Sequence, residues 1–595
     1  MKNAYRAFRQ YSCQFRKNWL EYLILFGGLD ILNQFLVIPF FRWITTFVLQ
    51  AGEIPFISYQ NIVIILTHHP LVVVILLIEL ICLMVIIYGE FMLLLKGFCG
   101  IGLPEFSWRR MFRQTKETLS LLNFGSLILL LGYFLLIIPF ADIIFRTPLL
   151  AKIQVPQFIV DYLTRNAWLI GGLTLFYLLM TMIGIRLILT MPLMAYQHLR
   201  LRAAMSQSWQ MTSKLRWLKF LIQIVLMTII VGSITVVFYL MIYILQVVLD
   251  LLPGKLSLIT AIFNLSILQL GGEVLAVWAG TIILLVVVNP LTSISELATT
   301  PEHPSRGLLT SFMLVFLVIG LATLANNTFY MMGTGIKRPI TISHRGVTEK
   351  NGVQNTIPAM EKTSKLKPDY IEMDLHETKD HQFVVMHDEN LKDLTGVNKT
   401  PHELTLKQLT RLTARENGYH AKVASFDQYL AAAEKYHQKL LIEIKTTPHD
   451  SKQMLQNFNR RYGKRILQDH DQVHSLDYSA VTKLKNINPR LTVLYIQPYN
   501  LGNPQGVADG FSMEYSTLNQ DFITQAQWQH KPVYAWTVND TDLMKQTMYN
   551  HANGIITDNL GELNAVIEDF TGKQSYANRI LNYIIVVPTS GGIEP

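Results

Sequence analysis

The chain has 595 residues, too many for one ordinary domain. Half of them are apolar and only 16% are charged, against roughly a quarter charged in a typical soluble protein. The net charge of +9 does not point to nucleic acid, because many of the Lys and Arg residues sit in short loops between apolar runs and no basic helix carries interleaved aromatics.

Long Leu/Ile/Val/Phe runs dominate as far as Tyr330, and after Lys337 the composition becomes that of a soluble domain. The small residues of Met331-Met332-Gly333-Thr334-Gly335 mark the boundary. A spanning helix needs about 20 mostly apolar residues, since only a helix satisfies its own backbone in hydrocarbon. Seven stretches qualify: 22–48, 65–95, 119–145, 167–194, 217–248, 268–290 and 308–330. Segment 257–267 belongs either to the sixth span or to a separate interfacial piece, which would make an eighth element. The first run is much longer than a signal-peptide core and lacks a small-residue cleavage site, so a retained anchor is expected.

Basic residues set the orientation. They collect before the first span (Lys2, Arg6, Arg9, Arg16, Lys17), after the second (Lys96, Arg109, Arg110, Arg113, Lys116) and after the fourth (Arg200, Arg202, Lys214, Arg216). Loop 49–60 has none, loop 249–256 has only Lys255, and loop 146–166 is mixed. The expectation is a multi-pass protein of the cell membrane with a cytoplasmic N-terminus. An odd number of spans then puts the C-terminal domain outside. Asp30, Glu79, Glu90, Asp142, Arg186 and Glu273 fall within or near the apolar runs. They are expected at span ends or paired inside the bundle, with a transport or lipid-handling role left open. All three cysteines, Cys13, Cys82 and Cys99, lie in this half, so no disulfide is expected in the second.

From Pro339 onward, short β-rich runs alternate with amphipathic helical patterns. Strands are expected at 340–343, 370–375, 440–445, 469–475, 491–496, 508–513, 532–537 and 554–557. Eight strands with intervening helices fit an α/β fold of the (β/α)8 TIM-barrel type, with a doubly wound open sheet as the alternative. No Gly-rich dinucleotide fingerprint follows the first strand. In such barrels the chemistry sits at the C-terminal ends of the strands.

Those ends carry a polar cluster. Strand one ends in Ser343-His344-Arg345-Gly346. Glu372 and Asp374, two residues apart, share one face of strand two, an arrangement suited to a hard divalent cation. An apolar run, 383–386, delivers His387-Asp388, and Glu443 and Lys445 share a face of the third barrel strand. Strand seven ends in Trp536-Thr537-Val538-Asn539 and strand eight in Thr557-Asp558. Taken singly, each reads as a solvated turn or ordinary strand alternation. Parallel barrel strands are buried on both faces, however, so charged groups recurring at successive ends require partners.

His344 and His387 are the expected acid–base pair, because imidazole titrates near neutral pH. Arg345 offers a planar fork for phosphate, and Lys445 a point charge as the anion gains charge. Trp536 is expected against the bound substrate or a nearby wall, the alternative being a core aromatic.

Over 340–570 these residues resemble the glycerophosphodiester phosphodiesterase family. The likeness runs through His344-Arg345-Gly346, Asn355-Thr356, Ile371-Glu372-Met373-Asp374, Thr378-Lys379-Asp380 and Val384-Val385-Met386-His387-Asp388. It continues through Leu404-Thr405, Ile442-Glu443-Ile444-Lys445, Trp536-Thr537-Val538-Asn539 and Gly554-Ile555-Ile556-Thr557-Asp558. The apolar half resembles the membrane domain that precedes the barrel in some bacterial members. The resemblance implies Glu372, Asp374 and Glu443 as metal ligands, and this all-oxygen set suits Ca²⁺ or Mg²⁺. It also implies attack by the glycerol's neighbouring hydroxyl through a cyclic phosphate, while the residues alone leave direct attack by water open. Two positions depart from the family pattern: Gln354 replaces a usual Glu, and His381 a usual Gly.

The resulting expectation is a membrane domain over 1–336, a phosphodiesterase barrel over 337–572 and a tail over 573–595. Its substrate would be a glycerophosphodiester or related lipid-derived diester, with membrane lipid as the other partner. One alternative is phospholipase-like cleavage of lysophospholipid or of an envelope polyglycerophosphate. The other is a non-catalytic transport or binding protein. The sequence is silent on oligomeric state.

Overall fold

The computed structural model describes residues 2–52, 54, 62–101, 103, 106–120, 122, 127–128, 130–133, 159–160, 163–164, 167–213, 216–289, 291, 306–334, 337–499, 504–572 and 574–586. Among these, six helices are long and apolar enough to cross a membrane: Trp19–Ala51, Pro70–Phe98, Ala167–Gln197, Trp217–Leu249, Gly254–Val288 and Arg306–Met332. Each answers to one predicted span. The remaining one, 119–145, lies mostly outside the described residues.

Segment 257–267 is part of the continuous helix Gly254–Val288 rather than a separate piece. Its polar side chains find partners on the preceding helix and turn: Ser257 Oγ donates to Asp250 at 2.9 Å and Asn264 Nδ2 to Gln246 at 2.8 Å. The first span changes winding at Asn33–Val37, a π-helical turn in which Ile38 N donates to Asn33 O. Pro39 follows directly; it has no N–H for an α-helical bond, and the wider turn accommodates its ring. Ionisable residues in the bundle are paired: Asn33 Nδ2 donates to Glu90 at 3.2 Å, Thr45 to Glu79, and Arg186 to the Thr212 carbonyl. Asp142 lies outside the described residues.

The second half is a closed barrel. In chain order its strands are β1 (Ile340–Ser343), β2 (Tyr370–Glu377), β3 (Phe383–Val385), β4 (Thr413–Glu416), β5 (Tyr419–Lys422), β6 (Leu440–Ile444), β7 (Gln472–Ser475), β8 (Val493–Gln497), β9 (Gly510–Glu514), β10 (Val533–Trp536) and β11 (Gly554–Thr557). Eight run parallel in the order β1-β2-β6-β7-β8-β9-β10-β11, and β11 pairs back onto β1. All eight predicted strands are present. The barrel interior is filled by Ile342, Leu441, Leu494, Tyr534 and Ile556, so it is a packed core and not a pore. Gly554 has to be glycine, since a Cβ there would lie 2.7 Å from the Tyr534 ring.

Two further strand pairs shape the mouth. Strand β3 lies antiparallel to the end of β2, with Leu375 opposite Val385, and carries the chain to His387. Strands β4 and β5 form a hairpin turned by Asn417-Gly418, both at positive φ.

Barrel and bundle meet at one end of the bundle. The helix Tyr576–Val586, in the predicted tail, packs through Ile580 and Tyr583 against the spanning helices Trp217–Leu249 and Gly254–Val288 and against the end of the last span at Tyr330 and Met331. Ala577 N donates to Asp250 Oδ2 at 2.8 Å, Tyr330 OH to Arg579 O at 2.8 Å, and Arg42 pairs with Asp521 at 2.8 Å.

Candidate active site

The site is built at the C-terminal ends of β1, β2, β6, β7, β10 and β11. Directly after β1 the backbone turns sharply, with Arg345 at φ 52° and Gly346 at φ 68°. An arginine in this left-handed region is uncommon and carries strain. The turn aims Arg345 N at Glu372 Oε2, 2.8 Å away. Gly346 cannot be replaced, since a Cβ would approach the Tyr429 hydroxyl to 2.8 Å.

Adjacent strands hold the carboxylates in one row. Asp374 of β2 is in register with Glu443 of β6, and Glu443 with His474 of β7, so all three side chains leave the sheet on the same face. Glu372, Glu443 and His474 each offer a donor atom, and the three atoms lie within 4.8 Å of one another. Asp374 turns toward the cations: Lys445 Nζ lies 3.1 Å from its Oδ1, and Asn355 Nδ2 donates to its Oδ2 at 2.7 Å. Lys445 also pairs with Glu443 at 2.6 Å.

These environments push the groups apart. Burial, reinforced by Asp374, raises Glu372 above the usual carboxylate range. Burial would raise Asp374 too, but Lys445, His387 and Arg345 together hold it well below that range. Burial lowers His474 to about 4, so its ring is neutral. Buried carboxylates beside a neutral imidazole form a donor set that fits a divalent cation.

Each expected catalytic histidine is held by a carboxylate. His344 Nδ1 lies 2.8 Å from Asp558 Oδ1, and Asn539 Nδ2 donates to the other Asp558 oxygen at 2.7 Å. His387 Nδ1 lies 2.7 Å from Asp388 Oδ1. In both, Nδ1–H donates to the carboxylate, so Nε2 is the ring nitrogen able to gain or lose a proton. Burial works against the charged form of His344, yet Asp558 raises it above the ordinary imidazole value. His387 moves the other way, lowered chiefly by burial.

Arg345 Nη1 donates to Gln354 Oε1 at 2.7 Å, and Gln354 Nε2 donates onward to Glu416 of the hairpin at 2.7 Å. Trp536 ends β10 in register with Glu514 and packs half-buried on the barrel's interior cluster. The eight residues singled out in the sequence thus all lie at the strand-end mouth. The sequence reading missed His474 and His376, whose Nε2 lies 3.1 Å from the His387 carbonyl, and quoted Asp388 and Asp558 in the polar cluster without assigning them a role. Asp388 and Asp558 stand inside the quoted motifs, and their pairing with the histidines needed the fold. His474 carried a signal only through its register with Glu443.

Comparison with known proteins agrees with this architecture. Residues 8–324 match the membrane domain of glycerophosphoryl diester phosphodiesterase, and residues 344–562 match the glycerophosphoryl diester phosphodiesterase family. The Bacillus subtilis (strain 168) protein YhdW, assigned by name to the glycerophosphodiester phosphodiesterases, is 26% identical over 228 residues, covering 36% of this chain and 93% of that protein. A second glycerophosphodiester phosphodiesterase from the same organism is 24% identical, over 37% of this chain and 83% of its own. A crystal structure of a glycerophosphodiester phosphodiesterase from Parabacteroides distasonis is 24% identical over 39% of this chain and 98% of that one, with a TM-score of 0.35. The membrane-domain match alone spans more than half of the chain, and the second match covers the barrel with its polar mouth. The chain belongs to the glycerophosphoryl diester phosphodiesterase family, in the form that joins a membrane domain to a phosphoric diester hydrolase barrel.

Proposed function

We propose that the barrel hydrolyses glycerophosphodiesters to glycerol phosphate and an alcohol, with His344 and His387 moving the protons beside a divalent cation. The observation that carries this reading is the opposed bias of the two histidines, one raised by Asp558 and the other lowered by burial. Groups pushed apart in this way hold one proton donor and one proton acceptor at the same pH.

His387, neutral, accepts the proton of the attacking hydroxyl at Nε2. His344, protonated, donates from Nε2 to the departing alkoxide. In the route implied by the family resemblance, that hydroxyl is the glycerol's own neighbour, and the roles reverse when water opens the cyclic phosphate. Arg345 is held by Gln354 and presents its guanidinium fork to the phosphoryl oxygens. Lys445, kept charged by Glu443 and Asp374 against the lowering effect of burial, supplies positive charge as the phosphorane oxygens become more negative. Trp536 forms a wall for the glycerol. Glu372, Asp374 and Glu443 are the carboxylates proposed to hold a divalent cation, which would supply charge stabilisation at a phosphoryl oxygen.

A second substrate class has specific support: human lysophospholipase D GDPD1 is 47% identical over 68 residues, though these are 11% of this chain and 21% of that protein. Lysophospholipid headgroups are diesters that the same groups could cleave. A panel of soluble diesters and lysophospholipids, with and without chelator, separates the two. His344→Ala and Glu372→Gln should each lower turnover by about 100-fold or more without unfolding the protein. Wild-type rates in either variant would sink the site assignment.

The barrel is proposed to face outward from a cytoplasmic N-terminus. Two features support this. The Lys/Arg-rich segments fall at one end of the bundle, and the other end is met by the barrel at Arg42 and by the helix Tyr576–Val586 at Asp250 and Tyr330.

A further inference from the structure

We propose that His474 is a nitrogen ligand of the divalent cation held by Glu372 and Glu443, which gives this barrel a preference for a first-row transition ion over Ca²⁺. The proposal rests on the metal-dependent reading of the same site.

His474 is 2% exposed, and neither of its ring nitrogens has a hydrogen-bond partner. A buried imidazole with neither nitrogen met costs free energy that a core histidine avoids by finding a carbonyl or hydroxyl. Its nearest acidic neighbour, Glu372 Oε1, lies 3.8 Å from Nε2, too far for a hydrogen bond. Two donors bound to one cation at about 2.0–2.5 Å each are separated by about 3–5 Å. The Glu372–His474 separation and the 4.8 Å limit on the Glu372, Glu443 and His474 donor atoms fit that spacing.

Register explains how the imidazole arrives there. His474 is opposite Glu443 on adjacent parallel strands, so both side chains project from the same face into the mouth. Lys445 lies against both Glu443, at 2.6 Å, and Asp374, at 3.1 Å, and Asn355 also holds Asp374, whereas His474 has no such partner. His474 thus adds a nitrogen donor beside Glu372 and Glu443. Calcium prefers oxygen, while imidazole suits later first-row ions.

The test uses full-length protein in lipid nanodiscs loaded with Mn²⁺. Pulsed electron paramagnetic resonance should show ¹⁴N modulation from a bound imidazole, which changes when histidine is ¹⁵N-labelled. The modulation should vanish in His474→Gln but persist in His344→Gln. Mn²⁺ affinity should fall by about tenfold or more in His474→Gln, and Ca²⁺ should then displace Mn²⁺ at lower concentration than from wild type. If His474→Gln does not fold, His474→Asn carries the same comparison. Mn²⁺ that binds in a Glu372-dependent way but shows no nitrogen modulation would overturn His474 as a ligand and leave the metal site standing. Absence of any Mn²⁺ binding that Glu372→Gln removes would overturn both.

Discussion

The Nδ1 atom of His344, just past the end of β1, lies 2.8 Å from Oδ1 of Asp558, just past the end of β11, so the pair straddles the seam where the barrel closes. Burial alone would make His344 a weaker base, and Asp558 reverses that. Asp558 is itself held down to about 2, against the effect of burial, by His344, Asn539 and Arg345. The carboxylate is therefore ionised throughout the physiological range.

If His344 must be protonated to donate, activity should fall on the alkaline side as pH rises through its raised pKa. Asp558→Asn removes the negative charge and leaves burial unopposed, so His344 loses its proton at lower pH. The alkaline limb of the kcat/KM profile should move to lower pH, with the acid limb in place. An unmoved alkaline limb would show that His344 is not the proton donor.

The other limb tests His387. Its pKa is lowered by burial, with partial compensation from Asp374 and Asp388. As the acceptor it must be neutral, so activity should fall on the acid side as pH drops through the lowered value. Asp388→Asn removes one compensating partner and should shift the acid limb to still lower pH, leaving the alkaline limb in place. His387→Ala should cost about 100- to 10,000-fold in turnover. Retained turnover would reassign the base.

Gln354 shows how a departure from the family pattern is accommodated. It receives the Arg345 guanidinium on Oε1 and passes Nε2 to Glu416, whose second oxygen accepts from Gln354 N at 2.8 Å. A carboxylate at 354 would face the Glu416 carboxylate with no proton between them. Gln354→Glu should raise KM by about tenfold through a displaced Arg345, in line with the roughly 1.5–3 kcal/mol of a charged hydrogen bond. Gln354→Glu with Glu416→Gln should recover most of the loss. A double variant no better than the single would show that the two side chains are uncoupled.

That relay also marks where the sequence stopped being legible. The barrel strands could be read because parallel strands buried on both faces leave near-continuous apolar runs such as Leu440–Ile444, broken only by Glu443. Period-two spacing placed Glu372 with Asp374 and Glu443 with Lys445. The hairpin that supplies Glu416 escaped notice because its strands are short, charged and exposed, with Asn417-Gly418 as the only local signal. His474 escaped for a different reason: its role depends on the register between β6 and β7, which no local pattern encodes. The helix Tyr576–Val586 is short and amphipathic, and its partners are far away in sequence, so it read as a tail.

Membrane orientation can be tested without knowing the substrate. With intact cells, added protease should release barrel fragments while the N-terminal segment, carrying Lys2, Arg6 and Arg9, stays protected until lysis. A barrel cut only after lysis would reverse the assignment and place its substrates in the cytoplasm.

The helix Tyr576–Val586 should fix the barrel against the bundle. Tyr330 of the last span meets Tyr583 of this helix and Tyr549 of the barrel in T-shaped contacts, with centroids 6.1 and 5.8 Å away, while Asp250 accepts from Ala577 N. Arg579 lies beside Gly333, where the span gives way to the barrel, and its Nη1 donates to Tyr330 O at 3.2 Å. Each such aromatic pair contributes about 0.5–1.5 kcal/mol beyond burial. Tyr330→Ala therefore removes two ring contacts and the hydroxyl bond to Arg579 in one change, all remote from the catalytic mouth. Limited proteolysis of the purified protein should then cut the 333–339 junction markedly faster than in wild type, while turnover of a small soluble diester stays within about twofold. Unchanged cleavage would mean that the junction is held without this helix.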